Sequence, residues 1–279
     1  MSEPIVVEPG AGEVIGDAPE RRVEILSELD AVHVTWSRFG PRRDGADPHV
    51  HRRHADLFYV LAGELTVRLG PQDDAIPVPA GTLARVPPLV VHGFRNATDA
   101  DVRYLNLHAP GTGFADYMRA LRDRRTPSFD QEPPPDDGGR PPSEAEIGGA
   151  TVLAHTAELR VVLLADTPDV AIAERREAPG GAAPAAHVHT RHAESLYVLD
   201  GALELTARGR TRRLVAGTWA TLPAGMAHAV AVPAGDGPAR FLEVHAPSCG
   251  YGAFLRALHG GDEDARAAAG AAFDEAPVT

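Results

Sequence analysis

The chain has 279 residues, enough for one large domain or two ordinary ones, and its 43% hydrophobic content is that of a folded protein. A formal charge of −12 argues against a nucleic-acid backbone or an anionic membrane as partner, and the short arginine clusters at 42–43, 52–53 and 124–125 read as solvated turns. All 27 basic residues are arginine, so chemistry that needs a lysine amine is excluded; the single Cys249 excludes an internal disulfide and cysteine-rich metal sites.

The N-terminus shows no basic start followed by an apolar core, and no apolar run approaches a membrane span, so a cytoplasmic protein is expected. In chain order, residues 23–39 read as a β-hairpin. Leu65, Val67 and Leu69 then alternate with Glu64, Thr66 and Arg68, which is the period of a half-buried strand. A short amphipathic helix is predicted over Phe114–Arg122. Residues 126–146 are rich in Pro, Gly and acids and read as a linker. Hairpin strands over 151–176 open a second half, which closes with a helix at Tyr251–Leu258.

The second half repeats the first. Residues 48–67 return at 186–205, 81–94 at 217–230 and 107–121 at 244–258, in one order and at offsets of 138, 136 and 137. A missed repeat miscalls a fold, and here the repeat means a duplicated domain. The expected division is 1–127, a linker at 128–146, and 147–279. Short strands punctuated by Gly, Pro and Asp predict an all-β barrel or double-sheet sandwich in each half.

Ten of the thirteen histidines form matched pairs: His49/His187, His51/His189, His54/His192, His92/His228 and His108/His245. Two residues apart on a strand, His49 and His51 share a face, as do His187 and His189. Asp56, or Glu194, opens the next strand and can turn back toward them. His92, or His228, adds an imidazole from a distant strand. Three imidazoles and a carboxylate suit Fe, Mn, Ni, Cu or Zn as divalent ions, and leave positions open for substrate. His54 and His192 are expected to be exposed turn residues rather than supports of the site. His108 and His245 are expected to satisfy local backbone groups. Trp36, Phe58, Tyr59, Tyr104, Tyr197 and Trp219 are evenly balanced between core and pocket, and Arg68, Arg103 and Arg208 are expected to face solvent.

These residues carry a resemblance to the cupin superfamily. Its first motif, G-x5-H-x-H-x(3,4)-E-x6-G, is matched by Gly181, His187, His189, Glu194 and Gly201. Its second, G-x5-P-x-G-x2-H-x3-N, is matched by Gly217, Pro223, Gly225 and His228. The first half offers His49, His51, Asp56 and Gly63, then Gly81, Pro87, His92 and Asn96. It departs at Arg43, Asp56 and Leu89, and the second half departs at Val232, so the second ligand set is the more orthodox. Asp56 is one methylene short and is expected to reach a metal through water.

The resemblance implies two tandem jelly-roll (double-stranded β-helix) barrels, each followed by a short helix and each holding one divalent metal. Within the superfamily the chain looks most like the two-barrel quercetinase-type dioxygenases. That implies oxygenation of a small phenolic or enolic substrate, with His187, His189, His228, His49, His51 and His92 as ligands and Glu194 and Asp56 as ligands doubling as general bases. A lyase, decarboxylase or isomerase using the metal as Lewis acid is the alternative, although no Ser-Glu-Asn lid is found. A small-molecule binding protein is a third. A monomer or homodimer is expected.

Overall fold

The computed structural model describes residues 3–180, 186–261 and 263–277; the motif glycine Gly181 lies outside them. The chain forms two compact units. One is Gly12–Gly149. The other combines Ala150–Thr279 with the segment up to Ala11.

In the first unit, seven antiparallel strands stand in the order Glu146–Ile147, Leu83–Val86, Ala55–Ala62, Val102–Ala109, Val32–Phe39, Arg21–Leu29 and Glu13–Ala18. A second sheet holds Asp74–Pro79, Glu64–Leu69 and His92–Arg95. The second unit repeats the plan with seven and five strands. This is the expected all-β jelly roll, twice.

The alternation read in the sequence places the core. Leu65, Val67 and Leu69 are buried and pack with Phe58, Val60, Val78 and Tyr104, while Glu64 and Arg68 stay partly exposed; Thr66, expected on the wet face, is buried. Leu196, Val198, Leu203 and Leu205 build the matching core of the second unit. Ala55–Ala62 and Ala193–Asp200 are each paired on both sides, and each turns sharply into its neighbour at a motif glycine. Gly63 (φ 77°) and Gly201 (φ 74°) lie in left-handed backbone. A Cβ on either would come within 2.5–2.6 Å of a carbonyl, of Asp101 or of Pro238, so only glycine fits.

The helix Phe114–Arg122 forms as predicted, and the second runs Tyr251–His259. A further helix, Glu263–Ala272, was not anticipated. Two other differences concern the ends of the halves. Ile5–Val7 pairs with Trp219–Leu222 and supplies an edge strand to the second barrel, because its β-branched run can satisfy that strand's free backbone groups. The Pro-rich stretch is not a free spacer either: Glu132 pairs with Val50, Arg140 with Val90, and Glu146–Ile147 with the strand Leu83–Val86. Composition suggested a linker, but its few apolar and acidic residues are placed to bind the first barrel.

Removing residues 1–11 is expected to lower the melting temperature of the second barrel by about 5 °C or more and leave that of the first unchanged. Differential scanning calorimetry of the truncated chain checks this; two unshifted transitions would contradict it.

Candidate metal centre

Each histidine set is built by the same local geometry. His49 pairs through its backbone with His92, and His187 with His228, which brings the two motifs of each barrel face to face. The turn before the third imidazole is fixed by a left-handed residue that donates its N–H to the carbonyl of the second histidine. That residue is Gly225 (φ 80°, to His189, 2.6 Å) in one barrel and Leu89 (φ 67°, to His51, 2.7 Å) in the other. Leu89 therefore keeps the glycine backbone at a cost of about 1–2 kcal/mol.

The sequence-predicted ligands converge. His49, His51, Asp56 and His92 place one donor atom each within 4.8 Å of one another, as do His187, His189, Glu194 and His228. In the second barrel Glu194 Oε2 lies 2.8 Å from His228 Nε2, 3.1 Å from His189 Nε2 and 3.9 Å from His187 Nε2. In the first, Asp56 Oδ2 lies 3.4 Å from His92 Nε2 and 3.8 Å from His51 Nε2. The shorter aspartate thus stands slightly further back, yet within the group.

The chemistry of the donors fits a metal. A backbone carbonyl can only accept, so an imidazole bonded to one through Nδ1 carries its proton there and turns a bare Nε2 lone pair the other way. His49 donates to Asp47 (2.7 Å), His92 to Val90 (2.9 Å), His189 to Asp274 (2.6 Å) and His228 to Met226 (2.9 Å). His51 donates to the Asp130 carbonyl. The consequence shows at His49 and His51, whose Nε2 atoms stand 3.2 Å apart with two lone pairs facing. A shared cation would resolve that repulsion.

Electrostatics agree. Burial, reinforced by His92 and His51, depresses His49 to about 3, so it stays neutral and available as a donor. Burial alone would raise Asp56 and Glu194, but the surrounding imidazoles outweigh it and hold both well below the usual carboxylate range. Each set therefore offers an ionised carboxylate, and the first adds a neutral imidazole at His49.

Sequence reasoning missed the residues that brace these sets. His54 and His192, expected to be exposed, are 0% and 2% accessible. Their Nδ1 atoms face Asp130 Oδ2 (2.9 Å) and Asp274 Oδ2 (3.1 Å). The same carboxylates accept backbone N–H groups from Arg52, Arg53 and Arg191. Each aspartate thus grips the His-x-His segment twice, by its carbonyl on the second ligand and by its carboxylate on the turn beyond. Phe129 and Phe273, one residue earlier, pack against the same imidazoles. A Phe-Asp pair late in each half was the available signal, hidden in a stretch read as linker in one case and near the C-terminus in the other.

His108 and His245 also differ from expectation, since their partners are side chains. His108 Nε2 faces Asn106 Oδ1 (3.3 Å), and His245 Nδ1 faces His192 Nε2 (2.9 Å). Of the six aromatics singled out, Tyr104 lines a cavity, whereas Phe58, Tyr59 and Trp219 are fully buried in the cores. Arg68 and Arg208 pair with Asp73 and Glu3 at the surface.

A cavity of about 200 Å³ opens onto His49, His51 and Asp56, with walls that include Phe39, Phe94, Tyr104, Phe114 and Tyr117. One of about 310 Å³ opens onto His187, His189 and Glu194. Its walls carry more charged side chains, with Arg175, Glu177, Glu243 and Tyr251 beside Phe241 and Phe254.

The Cupin domain family model matches residues 35–108 and 175–245. The chain belongs to the cupin family. Both matches contain a complete histidine–carboxylate set, so this is a two-barrel cupin with groups able to hold a metal in each barrel. A 122-residue segment, 43% of the chain, is 30% identical to quercetin 2,3-dioxygenase of Bacillus subtilis (strain 168), and spans 35% of that protein. Among solved structures, Lactobacillus farciminis oxalate decarboxylase in its formate complex is similar (TM-score 0.60, 16% identity, 88% of this chain and 87% of that one). Microcystis aeruginosa AerE is similar too (TM-score 0.60, 16% identity, 87% and 98%), as is hazelnut vicilin from Corylus avellana (TM-score 0.56, 13% identity, 87% and 85%). An enzyme and a seed protein share this fold, so the fold alone does not choose an activity.

Two predictions follow from the bracing. Asp274→Ala is expected to weaken metal binding in the second barrel by about 10–100-fold, and Asp130→Ala in the first, read by chelator competition. Metal-free protein should also lose stability in acid. His54 and His192 are depressed to about 4, first by burial and then by a neighbouring imidazole, against about 6.5 unfolded. Their contribution is complete above pH 6.5 and is lost as pH falls toward 4, because the unfolded chain takes up the protons. His189, which Glu194 raises despite burial, offsets part of this. Melting temperature should therefore fall between pH 7 and 4.5; a flat profile would contradict the buried neutral histidines.

Proposed function

We propose that this cupin is a metal-dependent dioxygenase acting on a small phenolic or enolic substrate, with a metal in each barrel. The supporting observation is the first cavity, where aromatic walls line the same space as a histidine–carboxylate set. The local similarity to a quercetin dioxygenase agrees with it.

The proposed ligands are His187, His189, His228 and Glu194 in the second barrel, and His49, His51, His92 and Asp56 in the first. A divalent metal there would acidify a substrate hydroxyl and bring the electron-rich ring together with dioxygen. The protein's own residues do the rest. Ring walls orient the substrate and exclude water. The backbone-locked imidazoles keep their lone pairs inward without reorganising.

Glu194 is the proposed general base. Its contacts with the three imidazoles use Oε2, which leaves Oε1 to accept the substrate proton. Asp56 is proposed for the same role in the first barrel, but Asn106 donates to its Oδ1, so proton transfer there first requires that bond to break. Proton transfer is thus easier in the second barrel. The position of Asn106 is held there by Glu243, which lies at the corresponding register of the sheet.

Elemental analysis should find about two equivalents of metal per chain, falling to about one in a His187→Ala/His189→Ala variant. Glu194→Gln is expected to retain much of that metal and to slow oxygen uptake with a phenolic or enolic substrate by about 10²–10⁴-fold in the second barrel. Carbon dioxide release without oxygen uptake would replace this reading with a lyase. Metal binding with no turnover of any ring substrate would leave a binding protein.

A further inference from the structure

The first cavity is lined by a cation, Arg21, that no carboxylate among the described residues pairs. Arg21 opens the strand Arg21–Leu29 and is in register with Phe39, as Val23 is with Ser37 and Ile25 with Thr35. Arg21 therefore shares the inward face with Val23, Thr35 and Ser37 and lines the cavity with them. Its neighbour Arg22 faces the other way and is saturated by Asp17 and Glu24.

Arg21 has no such partners. Its guanidinium carbon lies 5.6 Å from the centre of the Phe39 ring, and its buried Nε has no acceptor. Among the described residues no carboxylate pairs with it. A half-buried guanidinium without an anion is a cost that a ligand can repay, and its planar fork matches a carboxylate.

The second barrel shows that this is not a feature of the scaffold. At the corresponding register, opposite Glu177 where the first barrel has Phe39, stands Leu159. The arginine of the second cavity, Arg175, is already held by Glu177 and by Glu243 (3.3 Å). One pocket therefore carries an unspent positive charge and the other does not.

Distance along the sheet limits the ligand. Asn106, which touches Asp56, is in register with Thr35, and Tyr104 with Ser37. The Arg21–Phe39 rung lies one step further, roughly 13 Å along the strand from Thr35. Phe94 and Tyr104 flank that interval, and the cavity of about 200 Å³ is smaller than the ~300–1,000 Å³ typical of drug-sized ligands. That leaves room for one ring with a short acid arm.

We propose that the first barrel takes a single-ring organic acid, its carboxylate held by Arg21 and its hydroxyl turned toward His49, His51 and Asp56. The carboxylate anchor deepens the phenolic reading given above, on which the orientation of the hydroxyl rests.

The test is isothermal titration calorimetry of the full metal-loaded chain with 4-hydroxycinnamate and with its neutral methyl ester. Wild type should bind the acid about ten- to a hundred-fold more tightly than the ester, at one acid site per chain. Arg21→Gln should abolish that preference by weakening the acid alone, with Arg21→Lys intermediate. Thermal melts of both variants confirm that they fold. Equal affinity for acid and ester, no binding of the acid, or equal losses for both in Arg21→Gln would overturn the proposal. Repeating the titrations after chelation separates the two readings. An acid preference that survives without metal keeps the Arg21 anchor even where the oxygenase assignment fails.

Discussion

Backbone carbonyls at Asp47, Val90, Asp130, Met226 and Asp274 each accept a hydrogen bond from an imidazole Nδ1–H, and this makes the two sites what they are. A carbonyl has no second protonation state, so the tautomer is settled by the chain path and not by solvent. The Nε2 lone pairs then converge with a carboxylate that is ionised and nearly inaccessible. Lone pairs and a negative charge gathered in a dry space repel one another, and a cation is what brings that arrangement into balance. The capacity of each barrel to hold a metal thus rests on hydrogen bonds one step removed from the donor atoms.

Two of those bonds, to Asp130 and Asp274, depend on parts of the chain that follow the barrel. Asp130 and Asp274 arrive after the last long strand and after a helix, and each closes over the His-x-His segment that began the site. The carboxylates are drawn below their usual range because, although burial opposes it, the backbone N–H groups of Arg52 and Arg53, or the Thr190 hydroxyl and Arg191 N–H, hold the ionised form. Strand pairing alone forms the outline of each barrel. The tail completes the electrostatics of the centre.

Much of this was legible in residues that act locally or recur. The duplicated blocks revealed two barrels, period-two alternation located the cores, and the parity of His49 with His51 and of His187 with His189 placed them together. The turn that returns Asp56 and Glu194 was read from spacing, and so was the helix Phe114–Arg122. What stayed hidden depends on partners far apart in sequence. His54 looked like an exposed turn residue because its partner, Asp130, is 76 residues away, and His192 is 82 residues from Asp274. Ile5–Val7 gave no sign that its pairing strand lay in the other half. Composition classed 126–146 as linker, yet Phe129, Asp130 and Glu132 act singly, and a window average conceals single residues.

Duplication also separates what the scaffold requires from what a ligand requires. Positions that hold the metal set and its braces are the same or chemically close in both barrels: histidine for histidine, aspartate for glutamate, Phe-Asp for Phe-Asp. Those facing the cavity beyond it are not. Ser37, Asn106, Phe114 and Phe39 stand in register where the second barrel has Arg175, Glu243, Tyr251 and Glu177. The changes are coupled, since the half-buried Arg175 is paired with Glu243 and Glu177, and Tyr251 donates to Glu243. Burial pushes Glu243 upward, Arg175 pulls it back, and Glu194 adds to the rise, so the charge of this wall is coupled to that of Glu194. Among the described residues no such ion-paired network surrounds Asp56, whose second oxygen is tied to a neutral amide. Two barrels with one ligand plan therefore present different surfaces to a substrate, and the division between them falls where the aromatic wall of one is replaced by the ion-paired wall of the other.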